Sequence, residues 1–99
     1  MALMQLTIIP MGTASPSVGD YVAEIQKVLK REGAVFQLND MGTTIEGEAH
    51  DLLALAAKLH ELPFQKEVQR VVTQITIDDR RDKRVKLGDK TVSVRARLE

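Results

Sequence analysis

Residues 34–48 read AVFQLNDMGTTIEGE and contain the most informative local pattern in the chain. Residues 34–38 and residues 43–48 each have the composition and alternation of a β-strand. Between them, residues 39–42 (NDMG) have the turn chemistry of a tight hairpin, because Asn, Asp and Gly adopt turn conformations at low cost. The sequence therefore predicts an antiparallel hairpin near the middle of the chain.

A helix is predicted on each side of this hairpin. Before it, apolar residues recur at helical spacing and Gly33 follows as a stop; they are Val18, Tyr21, Val22, Ile25, Val28 and Leu29. Ser17 and Asp20 approximate a capping box at the start of this helix. After the hairpin, residues 49–61 carry an apolar stripe, and Pro63 ends the second helix.

Two outer strands and a tail complete the pattern. Residues 4–9 (MQLTII) predict a strand that ends at Pro10 and Gly12, and residues 68–78 predict a long fourth strand. Residues 87–98 fit both a strand and a helix, and we favour a helix.

The order β-α-β-β-α-β predicts a ferredoxin-like α+β sandwich, formed as a single domain over residues 1–99. Short connections and right-handed crossovers place both helices on one face of a four-stranded antiparallel sheet, in the order 4-1-3-2. Alternation assigns these residues to the helix-covered face: Leu6, Ile8, Phe36, Leu38, Ile45, Val71, Ile75 and Ile77.

The other face of this sheet is polar with a few β-branched residues, which fits a solvated surface, a dimer contact or the floor of a ligand site. In this topology, residues 10–13, 39–44 and 68–70 are expected at one edge of the sheet. Two glycine-containing turns would then meet hydroxyl groups, one carboxylate and the Arg70 guanidinium. Such a site suits a small polar heterocycle better than a nucleic acid or a metal.

Composition excludes several other classes of protein. Fourteen basic and fourteen acidic residues cancel, and three aromatic residues give few platforms for stacking bases, so nucleic acid is not expected as a partner. The absence of cysteine excludes disulfide scaffolds and thiol nucleophiles.

His50 and His60 lie on different sides of the second helix, so no metal site is predicted. No targeting or membrane-spanning segment is expected, which is compatible with a cytoplasmic location.

Several motifs together resemble a known family. They are residues 10–13 (PMGT), 17–22 (SVGDYV), 41–48 (MGTTIEGE), 70–73 (RVVT) and 77–83 (IDDRRDK). In order and spacing they are similar to the small thiamine-binding proteins of the YkoF-like superfamily. The resemblance implies a ferredoxin-like fold, homodimers made through sheet faces and often homotetramers. It also implies binding of thiamine or its hydroxymethylpyrimidine part as ligand, without a cofactor or established catalysis.

Carried over residue by residue, the resemblance places these ligand-binding candidates at motif positions: Gly12, Thr13, Met41, Gly42, Thr43, Thr44, Glu46, Arg70 and Arg80. We expect Glu46 to meet the aminopyrimidine or to offset the thiazolium charge, with Thr43 and Thr44 bonded to ring nitrogens. Arg80 or Lys83 would reach across a subunit interface or toward a phosphate.

The resulting hypothesis is a non-catalytic carrier or sensor of thiamine. A regulatory or structural module that modulates a partner protein is the alternative. An enzyme of thiamine salvage is least favoured, since the sequence places no nucleophile beside a base.

Overall fold

The computed structural model describes residues 1–13 and 18–99. The elements follow in this order: β1 (Ala2–Met11), α1 (Gly19–Arg31), β2 (Val35–Asn39), β3 (Gly42–Gly47), α2 (Ala49–Glu61), a 3₁₀ turn (Pro63–Lys66), β4 (Arg70–Asp79) and α3 (Asp89–Leu98). Ser17, and with it the predicted capping box, lies outside the described residues. Within those residues, no helix is long and apolar enough to cross a membrane.

The four strands form one antiparallel sheet in the order β2-β3-β1-β4. This confirms the predicted ferredoxin-like arrangement. The hairpin is as tight as its sequence predicts, because Asn39 pairs with Gly42 across a loop of only Asp40 and Met41. The final segment is also helical, as favoured from its sequence.

The first strand is longer than predicted, because β1 continues through Pro10 to Met11. Its pairing with β3 ends at Leu6 and Thr43, whereas its pairing with β4 continues to Met11 and Arg70. Proline is tolerated in a strand that has a neighbour on one side only when its missing N–H faces the open side. The strand therefore does not end at Pro10, but it ends immediately before Gly12, as predicted. Beyond the hairpin, β1 and β4 project as a two-stranded ribbon.

The core lies between one face of the sheet and the helices α1 and α2. Met4, Leu29, Ile45 and Leu59 are fully buried there, and the predicted helix-facing residues of β1 and β3 are buried beside them. Phe36, Val71 and Ile77 pack against the rim of this cluster.

Two residues predicted to meet the helices are more exposed than the alternation implied. Leu38 is 52% exposed because it lines a cleft beside α1. Ile75 is 43% exposed, since β4 is an edge strand with a neighbour on one side only.

The C-terminal segment crosses to the opposite face of the sheet. There the Leu87 amide donates a hydrogen bond to Glu46 Oε1 at 2.8 Å, and Lys90 pairs with Asp78. Glu46 and Asp78 both pair with Leu3 of β1, so these contacts share one row across the sheet. All residues of α3 itself are exposed.

Candidate ligand-binding site

A cleft of about 270 Å³ opens where α1, β1 and the β2–β3 hairpin meet. Apolar side chains dominate its walls, and the hairpin turn forms its rim. The cleft is lined by residues 6–9 of β1, by Val18, Val22, Ile25 and Gln26 on the helix side, and by residues 38–43 of the hairpin. Concave, mostly apolar sites with a few placed polar groups are typical of small-molecule binding.

The polar interior of this cleft is a pair of side chains from two elements. Gln26 of α1 donates from Nε2 to Thr43 Oγ1 of β3 at 3.0 Å. Thr43 is 5% exposed, although its neighbours on the helix-covered face are apolar. The other atom of the Gln26 amide, Oε1, is buried and has no hydrogen-bond partner among the described residues. A buried oxygen without a hydrogen-bond partner destabilises the structure. A ligand that donates a hydrogen bond to this oxygen would therefore gain binding free energy.

The rim of the cleft is fixed by close backbone approach. Thr7 Oγ1 donates to the Met41 carbonyl oxygen at 3.1 Å, which ties the hairpin turn to β1. Gly42 has φ +155°, and a Cβ at this position would lie 2.8 Å from Thr7 Oγ1. Only glycine fits between the turn and β1 without displacing one of them. The residues Met41 and Gly42 therefore build the rim through backbone shape.

A second depression lies at the end of the β1–β4 ribbon. It is lined by residues 11–13, Tyr21 and residues 66–70, and it has about 690 Å³ of open space. Within it, Lys66 is paired with Glu24 and lies 5.6 Å from the centre of the Tyr21 ring. The hydrogen bond to Glu24 raises the pKa of Lys66, so this amine stays charged. Met11 pairs directly with Arg70, which brings Gly12 and Arg70 to the same strand end.

Ion pairs dominate the far end of the sheet, where β4 ends. Arg80 bonds both carboxylate oxygens of Asp82, at 2.6 and 2.9 Å, and Arg81 bonds Asp79 at 2.9 Å. These bonds lower the pKa of both aspartates. Arg80 also lines a depression with Lys83 between this loop and α3. Its guanidinium is thus already engaged by a carboxylate two residues away.

The nine predicted site residues fall into separate groups. Met41, Gly42 and Thr43 line the cleft, and Gly12, Thr13 and Arg70 line the ribbon depression. Thr44 and Glu46 lie on the opposite face of β3 from Thr43, because successive strand residues alternate. Arg80 follows the β4 end that pairs with Ala2.

The expected convergence at one edge is therefore incomplete. Gly12 lies five residues beyond Thr7 of β1, which contacts the Met41 carbonyl, a distance of about 17 Å along an extended strand. Arg80 lies about 30 Å from Gly12, since β1 and β4 pair along ten residues. One small ligand within one chain does not span these groups. The prediction that Glu46 contacts ligand together with Thr43 stays untested.

One functional candidate, Gln26, was missed from the sequence. Gln26 follows Val18 and Val22 at intervals of four residues, so a polar residue within an apolar helical stripe was the available signal. Asp40, the carboxylate predicted at the sheet edge within residues 39–44, lines the cleft.

Comparisons with known proteins agree with this architecture. The sequence profile of the family described as thiamine-binding protein matches residues 4–95. The UPF0045 protein YqgV of Bacillus subtilis is 50% identical, with 100% of this chain and 99% of that protein aligned. A UPF0045 protein of Methanothermobacter thermautotrophicus is 40% identical, with 99% of this chain and 100% of that protein aligned.

Solved structures give the same result for the fold. The crystal structure of protein MJ1052 from Methanocaldococcus jannaschii superposes with a TM-score of 0.82 at 30% identity, covering 94% of each chain. A Thermotoga maritima protein proposed to act in thiamine biosynthesis or salvage superposes with a TM-score of 0.78, covering 94% of this chain and 97% of that one. At 15% identity, the second likeness concerns the fold alone.

Proposed function

Since this chain belongs to the thiamine-binding protein family, we propose that it binds thiamine or its hydroxymethylpyrimidine part without transforming it. The observation that supports a binding site at a particular position is the cleft beside the turn of residues 41–43. Its volume, about 270 Å³, lies near the lower end of ligand pockets and suits one small heterocycle.

The chemistry of the cleft matches the two parts of thiamine. Leu6, Ile8 and Ile25 offer apolar surface to a flat ring, and Gln26 and Thr43 offer hydrogen bonds to its polar edge. Asp40 of the hairpin turn also lines the cleft, and its carboxylate would attract a cationic thiazolium ring. We therefore propose that the pyrimidine part lies inside the cleft and the thiazolium part near the hairpin turn.

This placement gives Glu46 a different role from the one expected from the sequence. Its Oε1 accepts the Leu87 amide on the opposite face of the sheet, so it anchors the C-terminal segment. We expect Glu46→Gln to keep the affinity for thiamine within about twofold, because amide and carboxylate oxygens both accept this bond. A larger loss would instead support ligand contact at Glu46.

We also propose self-association through the open sheet face, where the C-terminal segment lies. In α3, Val92, Val94 and Leu98 are 65, 54 and 80% exposed, and an isolated helix of ten residues is marginal in water without packing. We expect sedimentation velocity to show a dimer or tetramer. Replacing Arg70, which lies on this face, is expected to weaken the self-association. A wild type that is monomeric at all concentrations would refute sheet-face pairing.

Calorimetric titration of the purified full chain tests the ligand directly. We expect saturable binding of thiamine with one site per chain, and binding of free hydroxymethylpyrimidine through the same cleft. Thiamine phosphates distinguish a carrier of the vitamin from a protein that recognises the phosphate. If neither thiamine nor hydroxymethylpyrimidine binds, the proposed function is wrong, and the regulatory-module alternative becomes the better hypothesis.

A further inference from the structure

The amide of Gln26 presents one unused acceptor beside the cleft. Its Nε2 is engaged by Thr43 Oγ1 at 3.0 Å, which orients the amide and directs Oε1 away from that bond. Oε1 is buried and has no partner among the residues that the structure describes. Gln26 and Thr43 both line the cleft, so a molecule bound there lies against these two residues, and contact with the buried Oε1 requires a small movement of the Gln26 side chain.

Thr43 complements this acceptor with a donor. A hydroxyl that accepts a hydrogen bond still carries its own hydrogen, which it can donate elsewhere. Because Thr43 Oγ1 accepts from Gln26, its hydrogen is directed to another acceptor. The pair therefore offers an acceptor and a donor side by side, from α1 and from β3.

We infer that Gln26 and Thr43 determine specificity by binding the amino edge of a 4-aminopyrimidine. This inference rests on the proposed function and deepens it. On that edge the exocyclic amine donates to Gln26 Oε1, and the adjacent ring nitrogen accepts from the Thr43 hydroxyl. A 4-oxo pyrimidine carries the reverse pattern, a carbonyl acceptor beside a ring N–H donor, so it faces Oε1 with an oxygen.

The rim and the walls favour the same orientation. Leu6 and Ile25 also line the cleft, and they offer apolar surface to a planar ring. The hairpin turn is held against β1 by the bond from Thr7 to the Met41 carbonyl, so the rim is fixed before a ligand arrives. Ring atoms without polar groups then contact apolar side chains, and the amino edge is left to face Gln26 and Thr43.

Titration of three proteins with two ligands tests the inference. The variants are Gln26→Met and the nearly isosteric Thr43→Val; the ligands are thiamine and its 4-oxo analogue. Each variant removes one hydrogen bond, so we expect thiamine to bind about three- to tenfold more weakly to each. Wild type is expected to prefer thiamine over the 4-oxo analogue by about tenfold or more, since the analogue leaves Oε1 without a donor. Gln26→Met is expected to lose most of that preference.

A matched control separates this effect from a general loss of polarity. Gln65 lies in the 3₁₀ turn, is exposed and does not line the cleft, so Gln65→Met should bind both ligands as wild type does. Thermal melting checks that each variant is folded, and Thr43→Val alone carries the test if Gln26→Met does not fold.

The outcomes separate the two proposals. If wild type binds thiamine and both variants bind it equally well, the inference is wrong while the proposed function stands. The inference would also be overturned if wild type bound the 4-oxo analogue as tightly as thiamine. The Gln26 amide would then be able to turn either Oε1 or Nε2 toward the ligand. If wild type binds neither thiamine nor hydroxymethylpyrimidine, both proposals fail together.

Discussion

Replacing Gly42 by alanine would place a Cβ atom 2.8 Å from Thr7 Oγ1 and 3.1 Å from the Leu6 carbonyl oxygen. The backbone at this position has φ +155°, which side chains rarely adopt and which costs about 1–3 kcal/mol for a residue other than glycine. Overpacking against β1 adds about 1–3 kcal/mol, because the Leu6 backbone cannot move aside. The expected loss is therefore about 2–6 kcal/mol in the free energy of unfolding.

Gly12→Ala is the matched control for this prediction. Gly12 also has a positive φ, +71°, but nothing lies within 4 Å of the added Cβ. Its expected cost is the left-handed backbone alone, about 1–2 kcal/mol. In a chain of this size each kcal/mol lowers Tm by about 4–8 °C, so calorimetric melting separates the two variants.

The double variant Thr7→Ala/Gly42→Ala identifies the cause of the loss. Thr7→Ala removes the oxygen nearest to the new Cβ, so the double variant should be more stable than the sum of the single losses predicts. Failure of Gly42→Ala to fold would agree with the larger cost. A melting temperature for Gly42→Ala no lower than that of Gly12→Ala would refute close backbone approach at the hairpin.

Three further predictions concern contacts elsewhere in the molecule. Glu46→Ala removes the acceptor of the Leu87 amide, a bond to a charged group worth about 1.5–3 kcal/mol, so exchange of that amide with deuterium should become faster. Lys58→Met should raise the pKa of Glu32 toward its ordinary value of 4.5, because the bond to Lys58 lowers it; NMR titration measures this. The pKa of Glu32 is lower in the folded than in the unfolded chain, so its pair with Lys58 stabilises the fold above pH 4.5 and loses this effect as the pH falls through the folded pKa. If the pKa of Glu32 were unchanged in Lys58→Met, the pair would be excluded as the cause of the lowered pKa. Leu59→Ala should lose about 2–5 kcal/mol in urea unfolding, because Leu59 is fully buried; a loss below 1 kcal/mol would contradict its place in the core.

Most of the fold could be predicted from local signals. Helix α2 begins and ends where the apolar stripe and Pro63 place it, and the hairpin turns at the residues whose chemistry requires a turn. Alternation assigned the faces of β1 and β3 correctly, since one face is buried and the period of a strand is two. These features depend on residues that are near in sequence.

The site was harder to predict because it depends on long-range pairing. The pairing of β1 with β3 and the pairing of β1 with β4 together determine how far β1 and β4 extend beyond β3. This extension separates Gly12 from Met41. The bond between Glu46 and the Leu87 amide joins residues 41 positions apart, and no local pattern indicates it. Gln26 was visible as a polar residue in an apolar stripe, but its neighbour Thr43 belongs to another element.

Titration of the ¹⁵N-labelled protein with thiamine, followed by amide NMR, shows which residues contact the ligand. We expect saturable shift changes concentrated at Gln26 and at residues 41–43, which line the cleft. Residues of the ribbon depression, such as Gly12 and Arg70, should change little. Saturable changes concentrated in that depression or at Arg80, with none at Gln26 and Thr43, would show that thiamine does not bind in the cleft.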